Sequence, residues 1–161
     1  MNIREATEKD IKAIWGIFKI VVQSGDTFAF APDTNFAEMQ KIWFAPGMNT
    51  FVAEENGKIT GSYFIKPNQP GLGSHIANCG YIVDPVERGK GIASQMCAHS
   101  MEIAKMLGYK GMQYNLVVST NVKAVKLWEK CGFKIIGTIP GGFNHHEFGY
   151  VDAFIMFHPI N

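Results

Sequence analysis

The chain has 161 residues, of which 47% are apolar and 18% are charged. This length and composition are typical of one folded domain with a single core. The formal net charge of +1 argues against a nucleic-acid binder, which would carry a clear basic surplus. No apolar run approaches a membrane span, and the segment MNIREATEKD lacks the apolar core of a signal peptide. We therefore expect a cytoplasmic protein that binds neither membranes nor nucleic acid.

Periodicity in the first half predicts two helices and a hairpin. Thr7 and Asp10 form a capping box, after which apolar residues recur at helical spacing to about Ser24. A second helix is predicted over Asn35–Phe44 and is ended by Pro46-Gly47. The dipeptide Asn56-Gly57 predicts a hairpin turn. The predicted strands of this half are Ile3–Ala6, Phe51–Glu54, Ile59–Ile65 and Ile76–Val83.

The second half alternates helices and strands. One predicted helix starts near Ile92 and ends at Gly108, and another starts at Thr120 or Asn121 and ends at Gly132. The segment PGGFNHHEFG is predicted as a loop, and the strands are Met112–Val118, Phe133–Ile139 and Tyr150–Phe157. A central strand, helix and strand imply a parallel pair, while the hairpins make the sheet mixed. The fold class is therefore α/β, with helices on both faces of the sheet.

The segment VERGKGIAS, residues 86–94, places two glycines and two cations between a predicted strand and helix. A helix N-terminus carries free N–H groups and a partial positive charge, and glycine lets a ligand approach the backbone closely. Arg88 and Lys90 would add charge, so the turn suits a phosphate or pyrophosphate. The alternative is a tight turn with solvated cations. Gly91 after Lys90 excludes a P-loop, and Ser94 breaks a dinucleotide fingerprint.

The pattern Arg88-x-x-Gly91-x-Ala93, with NVKAVKLWEKCGF at residues 121–133, resembles the acetyl-CoA-binding core of the GCN5-related N-acetyltransferase family. The resemblance covers nearly the whole chain. It implies one N-acetyltransferase domain over residues 1–161, with a mostly antiparallel sheet of about seven strands and a splayed central parallel pair. The tail GTIPGGFNHHEFGYVDAFIMF is similar to a subgroup that includes phosphinothricin-type and proline-analogue acetyltransferases.

The resemblance also implies where acetyl-CoA binds. The pantetheine arm would pair with the backbone of Tyr81, Ile82 and Val83, and an amide near Ile82 or Val83 would polarise the acetyl carbonyl. Asn121 would contact the cofactor arm, or serve only as a helix cap. The amides that hold the pyrophosphate would come from Arg88, Gly89, Lys90, Gly91, Ile92 and Ala93.

The expected general acid of the family is absent from this chain. Many relatives carry a tyrosine that is proposed to protonate the leaving thiolate, and Trp128 stands in its helix here. The indole N–H has no useful acidity, so we expect Trp128 to pack beside the cofactor arm or in the core. Asn78 and Asn115 lie inside strands, where asparagine is disfavoured. They are the candidate catalytic residues, and the alternative is that backbone groups satisfy both amides.

The acceptor side is less defined. An alkyl amine is neutral in only about one molecule in a thousand at pH 7, so its deprotonation costs about 4 kcal/mol. A histidine or glutamate could act as base, although a histidine pair in a glycine-rich loop could equally be solvated. The candidate bases are His75, His145, His146 and Glu147. The candidate substrate-binding residues are Thr27, Phe28, Phe143 and His145.

We interpret the chain as an acetyl-CoA-dependent N-acetyltransferase of a small amine or amino acid, acting by direct attack in a ternary complex. No metal is expected, and a homodimer is compatible with this interpretation. Cys79, Cys97 and Cys131 share no metal-ligand spacing and are interpreted as small buried residues in a reducing compartment. The alternatives are acetylation of a protein N-terminus or lysine, and a non-catalytic acyl-CoA sensor or scaffold, which Trp128 keeps open.

Overall fold

The computed structural model describes all 161 residues and contains one seven-stranded sheet in the order β1-β2-β3-β4-β5-β7-β6. The strands are β1 Asn2–Glu5, β2 Asn49–Glu55, β3 Lys58–Pro67, β4 Ile76–Val83, β5 Gly111–Val118, β6 Lys134–His145 and β7 Gly149–Pro159. The helices are α1 Ile11–Gln23, α2 Phe36–Trp43, α3 Ile92–Met106 and α4 Val122–Lys130. Only β4 and β5 pair in parallel, so the predicted mixed, mostly antiparallel α/β fold is confirmed.

Local sequence signals explain where several elements begin and turn. The amide of Thr7 donates to Asp10 Oδ2 at 2.8 Å, which closes the short 3₁₀ turn before α1. Asn121, rather than Thr120, caps α4 by accepting from the Ala124 amide at 3.3 Å. Asn56 and Gly57 both have positive φ, +51° and +77°, as the two-residue hairpin between β2 and β3 requires.

Two apolar layers cover the two faces of the sheet. Tyr63, Cys79 and Tyr114 point to the face packed by α3 and α4. Phe64 and Ile82 point to the opposite face, which is packed by α1 and α2. Because side chains alternate along a strand, neighbouring residues of β4 and β5 belong to different layers. This confirms helices on both faces and divides the site residues between two sides of the sheet.

The predicted loop over PGGFNHHEFG is wrong, because residues 140–145 continue β6 and only residues 146–148 form the turn before β7. The pairing Ile139↔Ala153 is followed by Phe143↔Val151, so β6 holds two extra residues there. Gly141, with φ +59°, takes part in this bulge. The glycines therefore bend a strand rather than interrupt it, since a bulge accommodates positive φ while pairing resumes beyond it.

The three cysteines are free thiols, two of them buried. Burial raises the pKa of the Cys79 thiol to about 12 and also raises that of Cys97 well above its usual range. Both side chains therefore stay protonated and poorly nucleophilic near neutral pH. None of the four helices combines the length and apolarity that a membrane span needs.

Candidate active site

The glycine turn at the start of α3 presents a row of free backbone amides. The Arg88 amide, predicted to help hold the pyrophosphate, instead donates to the Pro85 carbonyl at 3.4 Å, whereas none of the amides of residues 89–94 donates a hydrogen bond within the chain. Gly89 and Gly91 have φ of +84° and +78°, a region that other residues rarely adopt. A Cβ at Gly89 would meet nothing within 4 Å, and one at Gly91 would meet only Gln95 Nε2 at 3.9 Å. The turn is thus an open surface of N–H donors at a helix N-terminus, the arrangement that suits a phosphate.

Charges around the turn are partly paired. Lys90 Nζ lies 2.6 Å from Glu87 Oε2, and Lys58 Nζ contacts both Glu87 and Asp84 at 3.1 and 3.0 Å. Hydrogen bonds from Lys90 and Lys58 lower the pKa of the Glu87 carboxyl. Arg88 forms no ion pair, and its side chain is exposed. Arg88 is therefore the one cation of the turn that a bound anion would not have to share with a carboxylate.

The parallel strands separate immediately after they pair. β4 and β5 share only two registers, Ile76↔Gly111 and Ala77↔Met112. On its other side β4 stays paired with β3 as far as Gly61↔Val83. The backbone of Tyr81–Val83 consequently has one satisfied edge and one edge that faces the opening between the strands. An extended ligand arm could pair with that edge as an added strand.

On the α3/α4 side, aromatic side chains close the opening. The Trp128 ring lies 5.0 Å from the Tyr81 ring and 5.0 Å from the Tyr114 ring. The Tyr81 and Tyr114 hydroxyls are 3.0 Å apart, and Tyr81 also contacts Ser100 Oγ at 2.7 Å. Burial raises the pKa of both phenols well above 10. Trp128 is half-buried and packs against this cluster, as expected for a residue with a packing role.

On the α1/α2 side, the opening begins at a cluster of amide side chains. Asn78 Nδ2 donates to the Gln113 carbonyl at 2.9 Å, so this amide bridges β4 and β5 just beyond their last paired register. Asn78 Oδ1 accepts no hydrogen bond within the chain. Asn115 is exposed, donates to Asn68 Oδ1 at 2.7 Å and accepts from Gln113 Nε2 at 2.9 Å.

The structure therefore places Asn78 and Asn115 on the same face without joining them directly. The alternative, that backbone groups satisfy both asparagines, holds only for one N–H of Asn78, which the Gln113 carbonyl accepts. The side-chain oxygen of Asn78 stays without a partner. Sequence inspection missed Gln113 and Asn68, because their contacts depend on how β3, β4 and β5 align. Tyr114 and Ser100 were missed for the same reason.

The segment between α1 and α2 meets the turn between β6 and β7. The His146 amide donates to the Gly25 carbonyl at 3.2 Å. The ring centroids of Phe28 and Trp43 are 6.1 Å apart, and those of Trp43 and Phe64 are 4.9 Å apart. Thr27 Oγ1 is buried and has no hydrogen-bond partner, so its hydrogen-bonding capacity is unused within the chain. The two predicted substrate segments are thus neighbours in space.

The histidines have different surroundings. His145 is only 6% exposed, and its Nδ1 accepts from the amides of Glu147 and Phe148 at 3.1 and 3.3 Å. Only Nε2 of His145 is therefore left for a substrate, and in the neutral ring this nitrogen carries the proton, so it can donate a hydrogen bond but does not suit the predicted role of base. His146 and Glu147 are exposed at the turn. His75 precedes β4 and lies at the opposite end of that strand from the glycine turn. Phe143 is buried with its ring 6.3 Å from that of His145.

Comparison with known proteins gives one consistent family. Residues 17–133 match the model of the acetyltransferase (GNAT) family. The N-acetyltransferase aca1 of Schizosaccharomyces pombe is 40% identical over 113 residues, which are 69% of this chain and 54% of aca1. The match thus spans about half the length of that relative. The L-amino acid N-acetyltransferase AaaT of Escherichia coli is 27% identical, over 96% of this chain and 94% of AaaT.

A solved structure gives the same result. The GCN5-related N-acetyltransferase from Kribbella flavida superposes with a TM-score of 0.94 at 35% identity, covering 98% of this chain and 96% of that chain. The resemblance of the tail is also confirmed, since a putative phosphinothricin acetyltransferase of Bacillus subtilis, YwnH, is 27% identical over 88% of each chain.

Proposed function

The chain belongs to the acetyltransferase (GNAT) family and is an acyltransferase, and on this premise we propose that it transfers an acetyl group from acetyl-CoA to the amine of a small molecule or amino acid. The proposal covers the chain from end to end as one catalytic domain. It is carried by one observation, the row of free amides at residues 89–94 beside the unpaired edge of β4. Few ligands need an anion site and a strand-like arm site together.

The residues present fit coenzyme A. The amides of Gly89 to Ala93 would hold the pyrophosphate, with Arg88 as the available cation. The backbone of Tyr81 to Val83 would pair with the pantetheine arm, and the amide of Ile82 or Val83 would donate to the acetyl oxygen. Asn121 and Trp128 would border the arm on the α4 side. Bound acetyl-CoA supplies the acetyl group as an activated thioester.

The acceptor amine would approach from the α1/α2 side. The opposite side is filled by Tyr81, Tyr114 and Trp128, whose rings are in mutual contact. On the α1/α2 side stand Asn78 Oδ1, which accepts no bond in the chain, and the unpartnered Thr27 hydroxyl. An amide oxygen can accept a hydrogen bond from the amine and hold its nitrogen toward the thioester. Phe28, Phe143 and His145 would form the wall around the rest of the acceptor.

The reaction proposed is direct attack. The neutral amine forms the new C–N bond, the C–S bond breaks, and the amine loses its proton to a base or to water. The thiolate leaves without a strong acid, because a thiol with a pKa of about 8.5 is a tolerable leaving group in water. Asn78 and Asn115 would align the reactants and donate to developing negative charge, since an amide cannot release a proton.

Lys66 favours an amino acid over a simple amine. It pairs in register with Asn78, so the two side chains share the α1/α2 face. Its ammonium lies 5.6 Å from the Phe64 ring and forms no ion pair. A free cation beside the proposed amine position suits a carboxylate. AaaT, by its name, acts on L-amino acids, which is consistent with this choice.

A thiol-release assay tests the proposal against its alternatives. Acetyl-CoA is supplied with free amino acids, with the matching decarboxylated amines, and with peptides that offer an N-terminus or a lysine. The proposal expects release with amino acids or small amines. Release with peptides alone would favour a protein acetyltransferase. Acetyl-CoA binding with no acceptor-dependent release would favour the sensor or scaffold.

A second copy of the chain is the protein partner we propose. β6 is an edge of the sheet and exposes Ile135, Ile136 and Ile139, and a long apolar edge strand favours pairing with another chain. Sedimentation of the wild type should give a dimer mass, and Ile136→Lys should shift it toward the monomer. A monomeric wild type would contradict this proposal.

A cytoplasmic location stays a prediction, consistent with three unpaired cysteines.

A further inference from the structure

Three buried hydroxyls connect the elements that the proposed cofactor would contact. Tyr114 Oη on β5 lies 3.0 Å from Tyr81 Oη on β4. Tyr81 Oη lies 2.7 Å from Ser100 Oγ on α3. Ser100 Oγ donates to the Cys97 carbonyl at 2.8 Å. These contacts form one continuous chain of hydrogen bonds from β5 through β4 to α3.

The bond from Ser100 to the Cys97 carbonyl sets the direction of the other bonds in this chain. A hydroxyl has one proton, and Ser100 spends its proton on the Cys97 carbonyl, which can only accept. Ser100 Oγ must therefore accept from Tyr81, whose proton has Met112 Sδ at 3.7 Å as a second, weaker acceptor, and Tyr81 Oη must accept from Tyr114. The Cys97 thiol, 3.7 Å from Tyr114 Oη, is left to donate weakly to it. No proton of the chain is free for a ligand, so the two phenols are not candidates to replace the missing acid.

The hydroxyl chain spans the part of the sheet that has no backbone pairing. β4 and β5 share no register beyond Ala77↔Met112, yet Tyr81 and Tyr114 join them further along. Ser100 lies in the same helix whose first turn carries the free amides. The hydroxyl chain therefore links both sides of the opening between the strands to the helix that would hold the pyrophosphate.

We propose that Tyr81, Tyr114 and Ser100 are positioning residues that set the spacing between the two cofactor sites, the opening between β4 and β5 and the turn at residues 89–94. The inference rests on the proposed placement of acetyl-CoA. One ligand that must fill both sites at once is sensitive to their separation. A small displacement of one site relative to the other costs affinity and rate, as misalignment in an active site generally does.

The three residues have separable roles. Ser100→Ala breaks the link between β4 and α3, so it should disturb the distance between the opening and the turn. Tyr114→Phe leaves the Tyr81–Ser100 bond and the bond from Ser100 to the Cys97 carbonyl intact, and releases only β5. Tyr81→Phe breaks both links. Ser100→Ala should therefore affect only ligands that occupy both sites, whereas Tyr114→Phe should affect every ligand that enters the opening.

The experiment compares acetyl-CoA with S-acetylpantetheine, which keeps the thioester and arm and lacks the pyrophosphate. The measured quantity is the ratio of kcat/KM for the two donors, with thermal stability recorded in parallel. Ser100→Ala and Tyr81→Phe should lower the wild-type ratio by about tenfold. Tyr114→Phe should lower kcat/KM for both donors and leave the ratio within about twofold of wild type. Ser100→Thr, which keeps the hydroxyl, should keep the ratio at its wild-type value.

The chain offers a closely matched control in Ser62. Ser62 is fully buried like Ser100, accepts from Trp43 Nε1 at 2.9 Å and donates to the Phe51 carbonyl at 2.7 Å. Its hydrogen bonds reach α2 and β2 rather than α3. Ser62→Ala should therefore lower thermal stability much as Ser100→Ala does and leave the donor ratio unchanged.

Each outcome has a distinct meaning. A ratio that stays at its wild-type value in folded Ser100→Ala and Tyr81→Phe proteins overturns the inference and leaves the proposed function standing. An equal fall of the ratio in Ser62→Ala also overturns it, because any loss of stability would then produce the effect. A wild type that uses both donors equally well overturns the pyrophosphate placement and the inference with it. If Tyr81→Phe does not fold, the comparison of the donor ratios of Ser100→Ala and Tyr114→Phe decides whether the inference holds.

Discussion

The two sides of the site bind their proposed ligands with different parts of the chain. On the cofactor side the binding groups are backbone amides at residues 89–94 and the free edge of β4. On the acceptor side they are side chains from separate segments, among them Thr27, Lys66 and Asn78. A backbone site depends on the shape of one turn, and glycines fix that shape locally. A side-chain site depends on tertiary alignment. Cofactor binding should therefore respond to changes in backbone geometry, and turnover to changes in side chains.

The largest expected effect lies on the acceptor side. Asn78→Ala and Asn115→Ala should each lower turnover by about a hundredfold, the typical cost of removing one well-placed donor. The affinity for acetyl-CoA should stay nearly unchanged. If both residues hold one substrate, the activation free energy should rise in the double variant by less than the sum of the two single increases. Steady-state kinetics and calorimetry provide the two readouts.

Asn144 supplies the control for this experiment. It is an exposed strand asparagine like Asn115 and lies on β6, so Asn144→Ala should keep wild-type turnover. Near-normal turnover in the Asn78/Asn115 double variant would remove both residues from the site and leave His146 and Glu147 as the candidate bases to examine.

The next largest effect lies on the cofactor side. Gly91→Val should weaken acetyl-CoA binding by tenfold or more, about 1.4 kcal/mol, because a side chain would occupy the space where phosphate meets backbone. Gly108 is the matched control, since it has φ +83° and open surroundings but follows the other end of α3. Gly108→Val carries the same backbone strain and should bind normally. Equal affinity in folded Gly91→Val protein, measured by calorimetry, would contradict the assignment of the turn.

Features that depend on local sequence could be predicted, and features that depend on tertiary alignment could not. The glycine turn, the Asn56-Gly57 hairpin and the Asn121 cap were predictable because each depends on a few adjacent residues. The continuation of β6 through residues 140–145 was not, because pairing with β7 overrides the turn preference of its glycines. The contact between Tyr81 and Tyr114 was equally hidden, since it depends on the angle at which two strands diverge. The roles of Asn78 and Asn115 stay predictions, although their placement on one face agrees with strand alternation.

Trp128 lies on the α3/α4 side, beside the proposed cofactor arm, and should affect stability more than chemistry. Trp128→Phe keeps an aromatic ring against Tyr81 and Tyr114 and should retain most of the turnover. Trp128→Ala should lower the free energy of unfolding by about 3 kcal/mol, the lower end of the usual cost of deleting such a ring. Thermal unfolding and turnover should be measured together. A stable Trp128→Phe protein with normal acetyl-CoA affinity and a thousandfold loss of turnover would give the indole N–H a catalytic role.

The smallest effect concerns the pH profile of turnover, which should contain a single ionisation. Turnover should rise once with pH, as the amine or its base loses a proton, and then stay level to about pH 10. Burial holds the pKa values of Tyr81 and Tyr114 well above 10, so neither phenol loses its proton in this range. Trp128 does not titrate. A fall on the alkaline side would point to an acid group other than these two phenols.

Initial rates measured with acetyl-CoA and an amino acid varied together distinguish direct transfer in a ternary complex from transfer through a covalent acetyl-enzyme. The buried Cys79 and Cys97 thiols, with pKa values raised by burial, are unsuited to carry the acetyl group. Double-reciprocal plots should therefore intersect, because both substrates must be bound before the C–N bond forms. Parallel lines would mean that the enzyme first takes the acetyl group covalently, and would contradict the account.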